Sequence, residues 1–240
     1  VELWDDRPRL GGRLRLAAVP PHKARYGEAC DYLEREIRKL GVDIHLNAAV
    51  TEVELDSRKP DAVILATGSV PFVPPIQGLS GGGAVLVDDV LEGRAPVGRR
   101  VAIIGGGAIG AETAHLLVEE EDREVYLIEM RDGIAVDLPQ DARICLLHAF
   151  EQTPSLHQIT NAKVTAVTPE SITLERQGQT EVVDRLDTII LAVGARPNQG
   201  LRPALEALGI PFLVSGDATG PKDYVKAIYE GFVAGNTIAE

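Results

Sequence analysis

A glycine-rich stretch with a carboxylate at a set distance behind it is where this sequence offers chemistry. Val101-Ala-Ile-Ile-Gly-Gly-Gly-Ala-Ile-Gly110 places Gly105, Gly107 and Gly110 directly after a β-branched run, and a helix-forming run follows. Each glycine has a physical task in such a turn. Gly105 permits the tight reversal, Gly107 lets the backbone approach a pyrophosphate, and Gly110 lets the helix pack close to the strand. The free N–H groups of the helix's first turn, where Ala108 and Ile109 stand, attract phosphate charge. A second apolar run ends at Glu129, 19 residues after Gly110, where an acid can accept hydrogen bonds from both ribose hydroxyls of an adenosine. A carboxylate there repels a 2′-phosphate and favours NADH over NADPH, although Arg131, two residues on, could instead meet that phosphate. An ordinary strand–turn–helix and a solvated strand-end acid are the plainer alternatives.

The elements that must position these residues occur twice. Asp61-Ala-Val-Ile-Leu-Ala-Thr-Gly-Ser-Val-Pro71 matches Asp187-Thr-Ile-Ile-Leu-Ala-Val-Gly-Ala-Arg-Pro197 at six of eleven positions. Upstream of each, Asn47-Ala-Ala-Val-Thr-Glu-Val53 matches Asn161-Ala-Lys-Val-Thr-Ala-Val167. Earlier still, Val1–Asp5 and Val125–Glu129 are both short apolar runs that end in a carboxylate. Three matches in one order indicate a duplicated unit. By this logic Asp5 is the counterpart of Glu129, and its glycine loop belongs before Val1. The chain starts without Met, so it is read as N-terminally truncated. The second copy is longer by Ser171–Arg185, where Gln177-Gly178-Gln179 between apolar runs predicts an added β-hairpin. Glu92–Arg100 reads as the connection between the units.

Apolar periodicity predicts helices over Arg25–Leu40, Ala108–Glu119, Asp141–Phe150 and Asp223–Ala239, with a short strand at Pro211–Val214. Strands and helices alternating at this spacing imply an α/β fold with parallel sheets. Leu10-Gly11-Gly12 and Gly216-Asp217 are further candidates for close approach to a ligand, each with a simple turn as its alternative. Gly81-Gly82-Gly83 reads as a flexible loop, and the five histidines show no pairing with a nucleophile or base.

Composition narrows the function classes. A net charge of −12 over 240 residues argues against nucleic acid as a partner. Cys30 and Cys145, the two cysteines, lie too far apart in sequence for a CxxC pair or a metal-ligand cluster. Apolar runs such as Val101–Ile104 are too short to span a bilayer, and the default address is the cytoplasm.

Leu10-Gly-Gly12, Ala66-Thr-Gly68, the Gly105–Gly110 loop, Val193-Gly-Ala-Arg-Pro197 and Val214-Ser-Gly-Asp217 occur in the order seen in two-dinucleotide-domain flavoprotein reductases. Leu10–Lys23 and the tail Ala227–Gly235 resemble in particular the C-terminal half of 2,4-dienoyl-CoA reductases and related NADH:flavin oxidoreductases of the old yellow enzyme family. The resemblance implies two Rossmann-like domains, the second inserted in the first. Residues 1–97 and 198–240 would bind FAD, and residues 98–197 NAD(P)H. It further implies that Asp5 binds the adenosine ribose of FAD, Gly11 and Gly12 lie along the dinucleotide, and Val53 approaches the adenine. Thr67 and Gly68 would line the path to the flavin, and Gly216 and Asp217 would meet the ribitol. Gly105–Gly110, Glu129 and Arg131 would hold the nicotinamide nucleotide, with Gly194 and Ala195 near it. FMN and an iron–sulfur cluster are expected only in an N-terminal barrel, through which a small-molecule substrate of enoyl or dienoyl type would be reduced. A stand-alone NAD(P)H:acceptor flavin reductase, and a structural ADP-binding module as in amine dehydrogenases, remain as alternatives.

Overall fold

A computed structural model of the chain describes residues 1–120, 122–221 and 223–238. It divides into two compact units: Val1–Arg15, Arg25–Val70 and Ala195–Glu240 form the first, and Leu16–Ala24 with Pro71–Gly194 the second. The chain opens with β1 (Glu2–Trp4), α1 (Gly12–Ala17), α2 (Ala24–Lys39), β2 (Asp43–His45), α3 (Glu52–Arg58), β3 (Val63–Leu65) and β4 (Ser69–Pro71). It continues with β5 (Val85–Leu86), α4 (Val87–Leu91), β6 (Arg100–Ile104), α5 (Ala108–Glu119), β7 (Glu124–Ile128), α6 (Gln140–Glu151) and β8 (Leu156–Ile159). Then come β9 (Ala162–Thr168), β10 (Ser171–Arg176), β11 (Gln179–Val183), β12 (Thr188–Leu191) and β13 (Ala195–Pro197). The last elements are α7 (Arg202–Leu208), β14 (Phe212–Val214) and α8 (Tyr224–Ile238).

The second unit is built on a parallel sheet of order β5-β12-β6-β7-β8. Its central strands are apolar at nearly every position because both faces are covered. Val101, Ile103, Val125, Leu127 and Ile190 face one buried cluster, with Ala111, Ala114, Leu117 and Phe150 from the helices. Ala102, Ile104, Ile128, Ile189 and Leu191 face the other, against Val164, Val167, Ile172 and Leu174. Those last four belong to the antiparallel meander β9-β10-β11, which contains the hairpin expected over Ser171–Arg185. Each such side chain contributes about 1.5–3 kcal/mol on full burial, so these two layers dominate the unit's stability.

Strand order fixes where a ligand can sit. From β6 the chain moves to β7 and β8 on one side, while β12 and β5 lie on the other. The carboxyl ends of β6 and β12 therefore flank a topological switch point, the usual location of a dinucleotide in such sheets.

The first unit has two separate parallel pairs, β1 with β2 and β14 with β3. The repeated Ser69–Pro71 and Ala195–Pro197 segments pair with each other as β4 and β13. Thr51 and Glu54 close a reciprocal capping box at the start of α3, which orders the segment after β2. Among the described residues, both large buried clusters lie in the second unit, and α8 of the first exposes Val225, Ile228, Tyr229 and Phe232. No described helix is long and apolar enough to cross a membrane.

Three sequence expectations need correction. Residues 71–97, placed with the first unit by sequence, group with the second, as do Leu16–Ala24, whereas Ala195–Pro197 group with the first; Val85 and Leu86 pair with β12. Gly81 of the expected Gly81-Gly82-Gly83 loop closes a 3₁₀ turn, Leu79–Gly81, in which Leu79 is buried. The closing helix begins at Tyr224, with Asp223 accepting from the Lys226 N–H, and Ala239 lies outside the described residues.

At the amino ends of β6, β7 and β8 a polar cluster closes the sheet. Tyr126 donates its hydroxyl to Glu124 Oε1 at 2.7 Å, His157 Nε2 lies 3.0 Å from the same oxygen, and Arg100 bonds Oε2. The Tyr126 hydroxyl, then His157 and Arg100, hold the Glu124 carboxyl below its ordinary pKa. A depressed carboxyl adds stability above its unfolded pKa and loses it as the pH falls through the folded value. Glu124→Gln is therefore expected to unfold at a lower temperature than the parent at neutral pH. The gap should close in acid below the ordinary glutamate range, and a gap that stays constant with pH refutes the assignment.

Candidate functional site

The glycine loop is held by its neighbours on every side. Gly105, with φ of 107°, donates its N–H to Ile128 O at 2.8 Å. A side chain on Gly105 would strike the carbonyl of Ala192 at the end of β12, and one on Gly110 would strike the carbonyl of Gly105. Only glycine allows α5 to begin this close to β6. Gly107 is the N-cap of α5 and uses no side chain to cap it.

Glu129 follows β7 and is 8% exposed. Its Oε2 accepts from the Gly106 N–H at 2.7 Å and its Oε1 from the Arg131 N–H at 2.9 Å. Each oxygen keeps a second lone pair, so the acid is oriented and still able to accept from a ribose. Arg131 contributes its main chain here, and its residue is exposed.

Asp5 reproduces this arrangement in the first unit. Its Oδ1 accepts from the Arg7 N–H at 2.9 Å, and its own N–H donates to His45 O at 2.9 Å, as Glu129 donates to Ile159 O at 2.8 Å. Asn47 and Asn161 both adopt positive φ, 52° and 54°, and donate to Arg7 O and Arg131 O respectively. The sequence repeat is thus a repeat of hydrogen bonds. Burial pushes the Asp5 carboxyl above its ordinary pKa, against the lowering effect of the Arg7 N–H.

The other candidates lie at five places. Gly11, at φ 111°, precedes α1 over the Cys30 sulfur, and Gly12 begins that helix. Val53 is 77% exposed on α3. Thr67 and Gly68 are tied to Asn198: Thr67 Oγ1 donates to Asn198 O, and the Asn198 N–H donates to Gly68 O at 2.9 Å. Asp217 accepts from Ser69 Oγ at 3.1 Å, while Gly216 donates to Glu230 at 3.0 Å. Gly194, at φ 97°, accepts from the Phe72 N–H, and Ala195 opens β13.

Sequence reasoning missed two groups in the second unit. Glu112, 8% exposed on α5, is ion-paired to Lys23 of the Pro20-Pro21-His22-Lys23 loop. The ring of His22 lies 6.3 Å from that of His115 on the same helix. A lone acid among Ala111, Thr113 and Ala114 is the signal that could have marked Glu112. Asp137 accepts from the Ala108 N–H at 2.8 Å, so that N–H of the α5 first turn is not free as expected.

Two linked units with parallel strands, one with a glycine loop at its switch point, give the α/β fold class of dinucleotide-binding oxidoreductases. The chain belongs to the pyridine nucleotide-disulphide oxidoreductase family, whose pattern matches residues 56–220. It is 35% identical over 239 residues to a bilirubin reductase of Mediterraneibacter gnavus, covering 99% of this chain and 37% of that protein. It is 32% identical over 238 residues to an NADH oxidase of Thermoanaerobacter brockii, covering 97% and 36%. A 2-naphthoyl-CoA reductase in complex with 2-naphthoyl-CoA superposes with a TM-score of 0.90 at 24% identity, over 98% of this chain and 36% of that one. The chain therefore spans little more than a third of these relatives.

Removing Glu112 as Ala takes this partner from a half-buried Lys23 ammonium. Glu112→Ala is expected to lower unfolding free energy by about 1.5 kcal/mol. Lys23→Met combined with Glu112→Leu should recover much of the loss, and urea unfolding measures both.

Proposed function

We propose that this chain is the NAD(P)H- and FAD-binding electron-input part of a flavin-dependent oxidoreductase. The second unit binds the nicotinamide nucleotide, NADH in preference to NADPH, and the first binds FAD. The observation that carries this reading is the doubled strand-end acid, Asp5 and Glu129, each oriented by the N–H two residues on at 2.9 Å. When bound, the nicotinamide supplies a hydride that the flavin accepts.

The residues present suit those groups. Glu129 holds spare lone pairs at the carboxyl end of β7, and Gly107 leaves the start of α5 without a side chain. In the first unit, Asp5 is the matching ribose acceptor, and Gly11 and Gly12 lie along the dinucleotide. Ser69 orients Asp217 for a polyol, and Thr67-Gly68 is fixed by Asn198. Val53, Gly194 and Ala195 are secondary contacts in this reading.

The substrate is reached through polypeptide beyond these residues, in the manner of the dienoyl-CoA reductase branch of the old yellow enzyme family. FMN and an iron–sulfur cluster belong to that additional region. Relatives named for bilirubin and, at 28% identity over 244 residues, for cinnamate support an unsaturated small molecule as the acceptor.

The test is equilibrium binding of NADH, NADPH and ADP to the purified chain. NADH is expected to bind more tightly than NADPH, and Glu129→Gln to weaken NADH by roughly tenfold through loss of charged hydrogen bonds. Equal, weak binding of all three ligands would remove the proposal. With FAD added, anaerobic NADH should bleach the flavin's visible absorbance.

A further inference from the structure

The start of α5 is already met by a carboxylate from the chain itself. After β7, the segment Met130–Pro139 doubles back over the glycine loop. Ala135, at φ 52°, donates its N–H to Gly106 O at 2.7 Å, and Arg143 Nε donates to Ile134 O at 2.8 Å. This reversal brings Asp137 to the helix terminus, where Oδ1 accepts from the Ala108 N–H at 2.8 Å. A Cβ on Gly107 would lie 3.2 Å from Asp137 Oδ2 and 3.6 Å from Oδ1. The carboxylate therefore already crowds the position that a side chain on Gly107 would take.

We propose that Asp137 sets how tightly the second unit holds a dinucleotide, its carboxylate standing where the pyrophosphate binds and being displaced when it does. This rests on reading Gly105–Gly110 as the dinucleotide loop. The physical basis is competition between anions. The positive end of a helix dipole and the first-turn N–H groups attract a carboxylate and a phosphate alike. Held a few ångströms apart, the two repel strongly enough to change affinity by roughly tenfold even near solvent. Asp137 is exposed, so a side-chain rotation can clear the site without unpacking buried Ile134 and Ala135. The Ala108 N–H then passes from one anion to the other.

Two variants of the full chain separate this role from simple helix capping. Asp137→Asn keeps the shape and an amide oxygen for the Ala108 N–H but removes the charge. Asp137→Ala removes the cap as well. NADH is expected to bind about tenfold more tightly to Asp137→Asn than to the parent, and at least as tightly to Asp137→Ala. Adenosine, which lacks the pyrophosphate, should bind all three proteins equally. Circular dichroism confirms that each is folded. NADH affinity unchanged or weakened in Asp137→Asn, with the parent binding NADH, overturns the inference and leaves the dinucleotide site intact. No NADH binding by the parent or either variant removes the site reading and the inference together.

Discussion

The carbonyl of Gly105 lies where a side chain on Gly110 would have to go, and the second unit is organised around that contact. Because no Cβ intervenes, α5 starts directly against the end of β6, with its amino terminus at the crevice between β6 and β12. The same closeness lets Ala111, Ala114 and Leu117 reach the sheet and join its buried layer. A methyl group at Gly110 would push the helix outward, opening that layer and withdrawing the N–H groups from the crevice. Packing and ligand geometry thus share one steric requirement.

The two units use one hydrogen-bond scheme on very different foundations. Asp5 and Glu129 end parallel strands and accept from an arginine N–H two residues on, and that arginine's carbonyl accepts from an asparagine in the left-handed region beyond the paired strand. Around Glu129 a five-stranded sheet is buried on both faces. Around Asp5 the described residues form two-stranded sheets, among them the parallel pairs β1–β2 and β14–β3, which are weak as isolated structures. Local polar geometry can therefore persist where the surrounding apolar layer is thin.

Charge placement gives the second unit a particular character. Three carboxylates lie on or about the glycine loop and α5: Glu129 at Gly106, Asp137 at Ala108, and Glu112 on the helix itself, paired with Lys23. The first accepts from two backbone N–H groups, the second from one at the helix terminus, and the third is paired with a cation within the fold. Similar side chains take different roles because each is bonded by a different backbone or cationic partner.

Much of this was legible in the sequence. The run Val101–Ile104 read as a β-branched strand leading into the glycine loop, the helix over Ala108–Glu119 emerged with its observed bounds, and the repeat predicted that Asp5 would mirror Glu129. Those features depend on side-chain periodicity and on glycines within a few residues of one another, so neighbouring residues suffice to specify them. The Lys23–Glu112 pair joins residues 89 apart, and Asp137 reaches Ala108 across 29. The assignment of residues 71–97 likewise depended on Val85-Leu86 finding an edge at β12. Neither the partner of a charged side chain nor the edge that accepts a two-residue strand is written in local pattern. Sequence determined the elements, the glycine loop and the two strand-end acids. Tertiary structure alone decided which carboxylate occupies the helix terminus and which is neutralised, because those outcomes require distant segments to be brought within hydrogen-bonding distance.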